Sequence, residues 1–510
     1  MSVPGRVTGG RAARVVAAVD LGAESGRVVL GRYDGHTVRI TEAHRFDNGP
    51  RLAGRLYRWD MATLWRQVCE GLAKAAAALG TGERIDAVGV DAWGLDYGLL
   101  DAGGHLLDDP VCYRDPRTRG MLRKAIETVG RERLYRASGI QLMEVNTLYQ
   151  LMAEVHPAAR DADRLLMMPD LFGHRLSGRA VAEYTAVSTT GAYDMAHQRW
   201  ATDLLHDLGV ATGMLPEVVD AGTDLGPVLP GVLDGDAFRH TRVIAPGSHD
   251  TASAVVSVPY EDPAAAYISS GTWSLVGVET AEPVVTEAAR RANLTNEGGV
   301  LGTIRLLRNC MGLWLLQECR RQWHREGRHF EYADLVAMAA GVRGGRSVVN
   351  PDHPDFVAPG DMPGRIQAYC ERTGQPVPDG VPAVARCVLD SLALRYRMAF
   401  EDLGTVTGRP VPRVHIVGGG SRNDLLNQLT ADVAGLPVVA GPVEATALGN
   451  ILVQLYALGE LSGLDEMRAV VKASERPALV EPRRDRDYGD LYGRYTDWVA
   501  ADLAEAGITG

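Results

Sequence analysis

The chain has 510 residues, of which 46% are hydrophobic and 23% are charged, and its formal net charge at pH 7 is −11. This length exceeds the roughly 250–300 residues at which a single core stops growing, so we expect two domains. The acidic balance argues against a nucleic-acid partner, and no apolar run approaches the roughly 18 residues needed to cross a bilayer.

Six scattered cysteines lack the spacing of a metal or redox site, which indicates a reduced, cytoplasmic protein. Residues 1–13 are rich in arginine and glycine, and we expect a disordered leader there. The apolar run at 15–19 then predicts a buried strand.

A glycine-containing turn, Asp20-Leu21-Gly22-Ala23-Glu24-Ser25-Gly26-Arg27, connects that strand to a second one at 28–32. Strand, turn and strand predict a β-hairpin. Its tip offers backbone N–H groups, the Ser25 hydroxyl and the Arg27 cation, all of which bind phosphate. An ordinary hairpin turn explains the same pattern, so both interpretations stay open at this point.

The next elements are a strand at 37–46, an amphipathic helix at 61–79 and a strand at 85–90. The last strand ends in Asp91-Ala92-Trp93-Gly94-Leu95-Asp96-Tyr97, and ligands bind at such carboxyl ends in open α/β sheets. Trp93 is therefore a candidate to pack against a sugar ring, with Asp91 or Asp96 accepting its hydroxyl bonds. A core tryptophan and a turn aspartate are the alternative. Residues 121–240 read as mainly helical.

The second half repeats the first hairpin. Strands at 265–269 and 275–279 flank Ser270-Gly271-Thr272-Trp273-Ser274, which places Thr272 near the position of Ser25. An internal repeat predicts two similar lobes that face a cleft, with their boundary near 247–264.

Gly247-Ser248-His249-Asp250-Thr251-Ala252-Ser253-Ala254 lies at that boundary, after a short strand at 242–245. A carboxylate at a helix N-terminus suits a general base that faces an anionic ligand. Aspartate is also a common helix N-cap. The position between the lobes favours the base.

Two further motifs follow. Asn309-Cys310-Met311-Gly312-Leu313-Trp314-Leu315-Leu316-Gln317 predicts a helix that begins at Asn309 and continues to about residue 323. A strand at 414–417 leads into Gly418-Gly419-Gly420-Ser421-Arg422-Asn423 and a new helix. Such a loop lets the backbone approach a nucleotide closely, and a flexible connection rarely needs three consecutive glycines.

In this order the motifs resemble the FGGY carbohydrate kinases over 15–457. The resemblance implies an α/β fold with two actin-like (ribonuclease H-like) ATPase domains facing a central cleft. It implies a sugar-binding N-terminal domain at 14–246 that also forms part of the phosphate site. A nucleotide-binding domain at 247–485 and a C-terminal helix at 486–510 complete the expected organisation.

The resemblance also assigns roles, with Asp250 as the proton acceptor. ATP would contact Ala23, Glu24, Ser25, Gly26, Arg27, Thr272, Gln317 and Gly419. The sugar would contact Gly94, His249, Asp250, Thr251 and Asn309. Mg²⁺ would be held by Asp20 through water. Glu24 departs from the small hydroxyl residues common in the family, and its carboxylate repels a triphosphate unless it points away or helps hold Mg²⁺.

The implied activity is ATP-dependent phosphorylation of a ketose, with L-rhamnulose favoured and L-rhamnulose 1-phosphate as the product, in L-rhamnose catabolism. L-fuculose, xylulose or another polyol are the alternative acceptors. A non-catalytic sugar-responsive protein and an actin-like filament protein are the alternatives from other classes. The expected partners are a sugar and ATP, with no nucleic acid and no membrane, and the oligomeric state stays open between monomer and homodimer.

Overall fold

The computed structural model describes residues 14–154, 156, 159, 162–483 and 486–505, so the expected leader lies outside the described residues. Strands in the first half are β1 (Arg14–Leu21), β2 (Ser25–Tyr33), β3 (Val38–Asp47), β4 (Arg51–Ala53), β5 (Leu56–Arg58), β6 (Ala87–Ala92), β7 (Tyr97–Leu100), β8 (Arg164–Met167), β9 (Ala182–Glu183), β10 (Tyr193–Asp194), β11 (Arg199–Trp200), β12 (Val218–Val219), β13 (Asp224–Pro227) and β14 (Arg242–Ile244). Those in the second half are β15 (Ala266–Ser270), β16 (Trp273–Thr280), β17 (Thr295–Gly298), β18 (Ile304–Met311), β19 (Val414–Val417), β20 (Val438–Ala440) and β21 (Ala478–Val480).

Helices in the first half are α1 (Met61–Ala77), α2 (Met121–Val129), α3 (Arg131–Ser138), α4 (Thr147–Met152), α5 (Met168–Ser177), α6 (Tyr184–Val187), α7 (Thr202–Asp207) and α8 (Asp250–Val256). Those in the second half are α9 (Glu287–Arg291), α10 (Trp314–Arg325), α11 (Tyr332–Ala340), α12 (Met362–Arg372), α13 (Gly380–Thr407), α14 (Asp424–Ala434), α15 (Ala445–Ala457), α16 (Leu464–Ser474) and α17 (Gly489–Glu505). Among the helices described, none is both long and apolar enough to cross a membrane.

A first sheet has the strand order β13-β14-β6-β1-β2-β3. The predicted hairpin is confirmed, because β1 and β2 pair antiparallel from Arg14↔Tyr33 to Leu21↔Gly26. On its other side β1 pairs parallel with β6, which places Asp20 opposite Asp91. The apolar residues of β1 are buried because helices cover both faces of this central strand.

A second sheet has the order β17-β18-β16-β15-β19-β20-β21. Strand β15 pairs antiparallel with β16 and parallel with β19, so it repeats the arrangement of β1 between β2 and β6. The expected internal repeat is therefore present as topology. The exact domain limits stay a prediction, since α15 of the second half packs against β1 and β6 of the first.

Helices α8 and α15 pack closely against each other between the sheets. A small residue of α15, Gly449, makes this close packing possible. A Cβ placed there would lie 1.8 Å from the Ser253 carbonyl oxygen. This close contact fixes the position of α8, whose first residue is Asp250, against α15.

The predicted helix start at Asn309 is wrong. Asn309 lies in β18, which pairs antiparallel with β16 along its whole length, and the helix α10 begins at Trp314. Gly312 makes the break, because a Cβ there would lie 2.6 Å from the backbone of Trp273. Tertiary strand pairing thus overrides the helical pattern of this stretch.

Candidate active-site cleft

A cavity of about 410 Å³ lies between the two sheets. Its walls come from the loops that follow β1, β6, β15 and β19, together with the first turn of α8. Carboxyl ends of parallel strands meet there from both halves, which is where ligands bind in open α/β sheets.

Nearly all of the residues predicted from the sequence line this cavity, namely Asp20, Ala23, Glu24, Ser25, Arg27, Gly94, His249, Asp250, Thr251, Thr272, Asn309, Gln317 and Gly419. Gly26 is the exception, since it is buried under the hairpin rather than in the cavity wall. A Cβ at Gly26 would lie 2.2 Å from the Phe46 ring, so this glycine is needed for packing.

Asp250 is the first residue of α8, and the N-cap position belongs to His249. Its Oδ1 accepts hydrogen bonds from the Thr251 backbone N–H at 2.6 Å and from the Thr251 hydroxyl at 3.2 Å. Within the described residues Oδ2 makes no hydrogen bond, and Asp250 lines the cavity. Burial raises the pKa of the Asp250 carboxyl, opposed by His249 and reinforced by the charge of Asp20. The arrangement is that of a base with one oxygen held and one available.

Asp20 carries the other carboxylate at the cavity floor. Its Oδ2 accepts from Arg27 Nε at 2.8 Å and lies 2.7 Å from Arg27 Nη2, which leaves Oδ1 without a protein partner among the described residues. Arg27 also donates to Glu444 at 2.5 Å. Arg27 is therefore occupied by two carboxylates, and its first effect is to orient Asp20.

The contacts of Glu24 show how its negative charge is accommodated beside the predicted phosphate site. Its Oε1 accepts a hydrogen bond at 2.8 Å from Arg321, which lies on α10 across the cleft. Arg321 is paired with Glu318 as well. The Glu24 carboxylate thus shares a cation of the second half with Glu318, and the Glu24–Arg321 pair connects the hairpin to α10.

The three consecutive glycines have three different surroundings. Gly418 has a φ of +85°, which favours glycine, and a Cβ at Gly420 would lie 2.0 Å from the Ser270 hydroxyl oxygen. A Cβ at Gly419 would meet nothing within 4 Å, because that side faces the cavity. Only Gly419 can therefore take a side chain without disturbing the loop itself.

This difference gives a test of the nucleotide site. Gly419→Val is expected to raise the KM for ATP roughly 5- to 150-fold, the overpacking penalty for a branched side chain placed against the nucleotide. The KM for the sugar should stay near its wild-type value, as steady-state kinetics with each substrate varied would show. Gly213→Val, in an exposed loop outside the cavity where a Cβ would also meet nothing within 4 Å, controls for the loss of a glycine. Equal rises in both KM values would contradict the assignment.

The carboxylates near Trp93 do not face a ligand. Asp96 accepts from the indole N–H groups of Trp59 at 2.6 Å and Trp93 at 3.0 Å, and burial raises its pKa to about 6. Asp91 is buried and accepts from Asn450 at 2.5 Å. The prediction that Asp91 or Asp96 binds the sugar is therefore wrong, because both carboxylates accept hydrogen bonds from buried side chains. Trp93 itself does line the cavity.

Part of the cavity lining is apolar. We call the side chains of Trp93, Ile140 and Met143, which all line the cavity, its apolar wall. Trp93 packs on Trp59 with ring centroids 4.1 Å apart, so its orientation is fixed. A methyl or methylene group of a ligand would find van der Waals contact there.

Two functional candidates were missed from the sequence, Glu297 on β17 and Arg305 on β18. Their signal is the short polar strand Thr295–Gly298, in which all four residues are buried. Buried polar strands need partners, and the partners of Glu297 are His249, Arg305 and Asn309 at the cavity edge.

Comparisons with known proteins agree with this geometry. The model of the N-terminal domain of the FGGY family of carbohydrate kinases matches residues 15–257, and that of the C-terminal domain matches 266–458. The chain is 42% identical to rhamnulokinase of Bacteroides thetaiotaomicron over 460 residues, 90% of this chain and 93% of that protein. It is 43% identical to rhamnulokinase of an Enterobacter species over 463 residues, 89% and 91% of the two chains.

Solved structures share the fold at low identity. A ligand-bound xylulose kinase from Lactobacillus acidophilus superposes with a TM-score of 0.77 at 16% identity, covering 96% of this chain and 98% of that one. Plasmodium falciparum glycerol kinase with ADP gives 0.73 at 12% identity, covering 96% and 97%. These likenesses establish the two-domain actin-like fold and nothing finer.

Proposed function

The chain belongs to the FGGY family of carbohydrate kinases, and from this premise we propose that it transfers the γ-phosphoryl group of ATP to the O1 hydroxyl of L-rhamnulose. The observation that carries the proposal is the Asp250 carboxylate, which lines the cavity with one oxygen held by Thr251 and the other without a hydrogen bond among the described residues. The names of the relatives, at 42–43% identity over most of their length, support L-rhamnulose as the acceptor.

Asp250 acts on the acceptor hydroxyl. As O1 forms its bond to the γ-phosphorus, the O1 proton passes to Oδ2 of Asp250 and the bond from phosphorus to the ADP oxygen breaks. The pKa of Asp250, raised by burial, makes it a better proton acceptor than an exposed aspartate. Thr251 holds Oδ1 and so fixes the direction of Oδ2.

The two hairpins would bind the phosphates of ATP. The tip of the first offers Ala23, Ser25 and their backbone N–H groups, and the second offers Thr272 from the opposite side. Asp20 Oδ1 fits Mg²⁺, which in nucleotide sites takes one or two carboxylate oxygens along with phosphate and water. Within the described ranges no group of three or more histidine, cysteine, aspartate or glutamate side chains is placed to hold a metal ion. When bound, Mg²⁺ would offset the charge of the phosphates.

Several contacts join the halves beside the cavity. Among them are the Glu24–Arg321 ion pair and the hydrogen bond from the Trp273 indole N–H to the Tyr113 hydroxyl at 3.2 Å. A cleft bridged in this way keeps bulk water from competing with the sugar as acceptor.

The alternatives differ in what they need from the cavity. A kinase of L-fuculose or xylulose would use the same base with other hydroxyl contacts. A filament protein or a sugar-responsive protein without catalysis has no need of a carboxylate poised like Asp250. The free Oδ2 therefore favours an enzyme.

An ADP-release assay tests the function. We expect rapid ADP release with ATP, Mg²⁺ and L-rhamnulose, and only slow release without sugar. Phosphorus NMR of the product should show a phosphomonoester coupled to the C1 protons. Sugar-independent release at the same rate, or a product phosphorylated elsewhere, would overturn the proposal.

A further inference from the structure

A buried ion pair lies behind the residues that meet the sugar. Glu297 and Arg305 are direct cross-strand partners on β17 and β18, with Arg305 Nη2 3.2 Å from Glu297 Oε2. Arg305 is fully buried and Glu297 is 3% exposed. Buried ion pairs contribute little to stability because desolvation offsets their attraction, so this pair calls for a role in the site.

The first contact of this pair is with His249. The His249 Nδ1 atom lies 3.1 Å from Arg305 Nη2 and 3.4 Å from Glu297 Oε2. These neighbours require opposite tautomers, since arginine only donates and a carboxylate only accepts. The shorter contact has hydrogen-bond geometry, so Nδ1 accepts from Arg305 and the ring proton sits on Nε2.

The Nε2–H group of His249 then lies next to Asp250. Nε2 lies 3.4 Å from Asp250 Oδ1, and it is 3.2 Å from the position that a Cβ on Gly94 would take. His249 thus presents a donor at the cavity, next to the oxygen of Asp250 that Thr251 holds. Its backbone N–H, bonded to the Thr185 hydroxyl at 3.0 Å, fixes the main chain from which the ring projects.

The second contact is with Asn309. Its Nδ2 donates to Glu297 Oε1 and to Gln141 Oε1, each at 3.3 Å. Both partners present acceptor oxygens, so a flipped amide would set oxygen against oxygen. Asn309 Oδ1, which makes no hydrogen bond among the described residues, is left to accept from a ligand in the cavity.

The charge balance keeps this arrangement in place. Burial acts to raise the pKa of Glu297, while the positive charge of Arg305 and the hydrogen bond from the Asn309 amide act to lower it. Glu297 is therefore an acceptor, and it faces the Arg305 guanidinium, which has only donors.

We infer that the Glu297–Arg305 pair positions the sugar-binding groups by making His249 a donor and Asn309 an acceptor toward the acceptor sugar. This inference rests on the proposed function. The pair acts through other side chains, so both residues are positioning residues for specificity rather than catalytic residues. A hydroxyl pair on the sugar that matches one donor and one acceptor is recognised, and an epimer that leaves either unpaired is rejected.

The tautomer can be measured directly. Protein labelled with ¹⁵N-histidine, in a two-dimensional ¹⁵N–¹H spectrum at about pH 8, where an ordinary histidine is neutral, should show the Nε2–H pattern for His249. His249→Gln assigns the signal among the 13 histidines by its disappearance. An Nδ1–H pattern in the wild-type protein overturns the inference, whether or not the enzyme phosphorylates L-rhamnulose. Loss of activity on every sugar with the Nε2–H pattern intact would overturn the function alone.

Kinetics of Arg305→Lys give a second readout. We expect kcat/KM for L-rhamnulose to fall about 10- to 100-fold, mainly through KM, because the hydrogen bond from a charged donor to His249 is lost. The KM for ATP should stay within about twofold. Arg308→Lys is the matched control, since Arg308 lies on the same strand and donates to the Ala292 carbonyl outside the cavity. Equal losses in both variants would overturn the role.

Glu297→Gln keeps the inference testable if Arg305→Lys does not fold. Glutamine can donate as well as accept, so the Asn309 amide is no longer held in one orientation. We expect the preference for L-rhamnulose over its C4 epimer L-fuculose to fall about tenfold. An unchanged preference in a folded variant would contradict the positioning of Asn309.

Discussion

Asp250→Asn is expected to lower kcat about 10²- to 10⁴-fold while leaving the KM values for sugar and ATP close to wild type. Asparagine has the same shape and can still accept the Thr251 N–H bond through Oδ1. It presents an N–H group where the carboxylate Oδ2 stood, so it can hold the sugar hydroxyl but cannot take its proton. The loss should therefore appear in the chemical step.

Steady-state kinetics with each substrate varied, and direct sugar binding by calorimetry, separate the two effects. Asp262→Asn is the matched control, because Asp262 also accepts a backbone N–H bond near its own position but lies on the surface. A wild-type kcat in Asp250→Asn would show that Asp250 only supports the start of α8. A lost kcat accompanied by lost sugar binding would point to a structural role instead.

Local patterns were enough to predict the parts of the site that lie within short stretches of chain. The hairpin around Gly22 and Ser25, the helix start at Asp250 and the glycine loop at 418–420 each show strand, turn and small-residue signals within about ten residues. The topology then places these loops at the carboxyl ends of β1, β15 and β19. That is why the sequence predicts a cleft and most of its wall.

The errors share a cause, which is long-range pairing. Asn309 reads as a helix start until β16 pairs with β18, and Asp96 reads as a sugar ligand until Trp59 donates to it from 37 residues away. The Arg27 contact to phosphate stays a prediction, but its ion pair with Glu444, which lies 417 residues further on, has the same long-range origin. No local periodicity carries information of this kind.

Acceptor choice is expected to depend on hydroxyl matching far more than on the methyl group. Relative to L-rhamnulose, we expect kcat/KM to be about 10⁴-fold lower for L-fuculose, which differs in the configuration of one hydroxyl. L-fructose, which carries a hydroxymethyl group in place of the methyl, should be only about 10- to 200-fold poorer. The two sugars thus separate the polar contacts from the apolar wall.

The physical reason lies in what each mismatch leaves behind. A misplaced hydroxyl leaves a polar group such as His249 Nε2–H or Asn309 Oδ1 without a hydrogen-bond partner. Each polar group left unpaired in this way costs its full desolvation penalty. A hydroxymethyl group against Trp93 and Met143 loses only part of an apolar contact. It can also turn its oxygen toward the open side of the cleft.

Met143→Ala distinguishes the two contributions. Truncating the apolar wall should narrow the ratio between L-rhamnulose and L-fructose, while the ratio between L-rhamnulose and L-fuculose stays the same. Met338→Ala, on the exposed side of α11, is the control for methionine truncation. If any of the tested ketoses exceeds L-rhamnulose in kcat/KM, the proposed acceptor is wrong and the kinase assignment stands. If Met143→Ala changes the L-rhamnulose to L-fructose ratio and the L-rhamnulose to L-fuculose ratio equally, the apolar wall and the hydroxyl contacts do not act separately. In that case the whole sugar shifts when the Met143 side chain is shortened, and its hydroxyl contacts change as well.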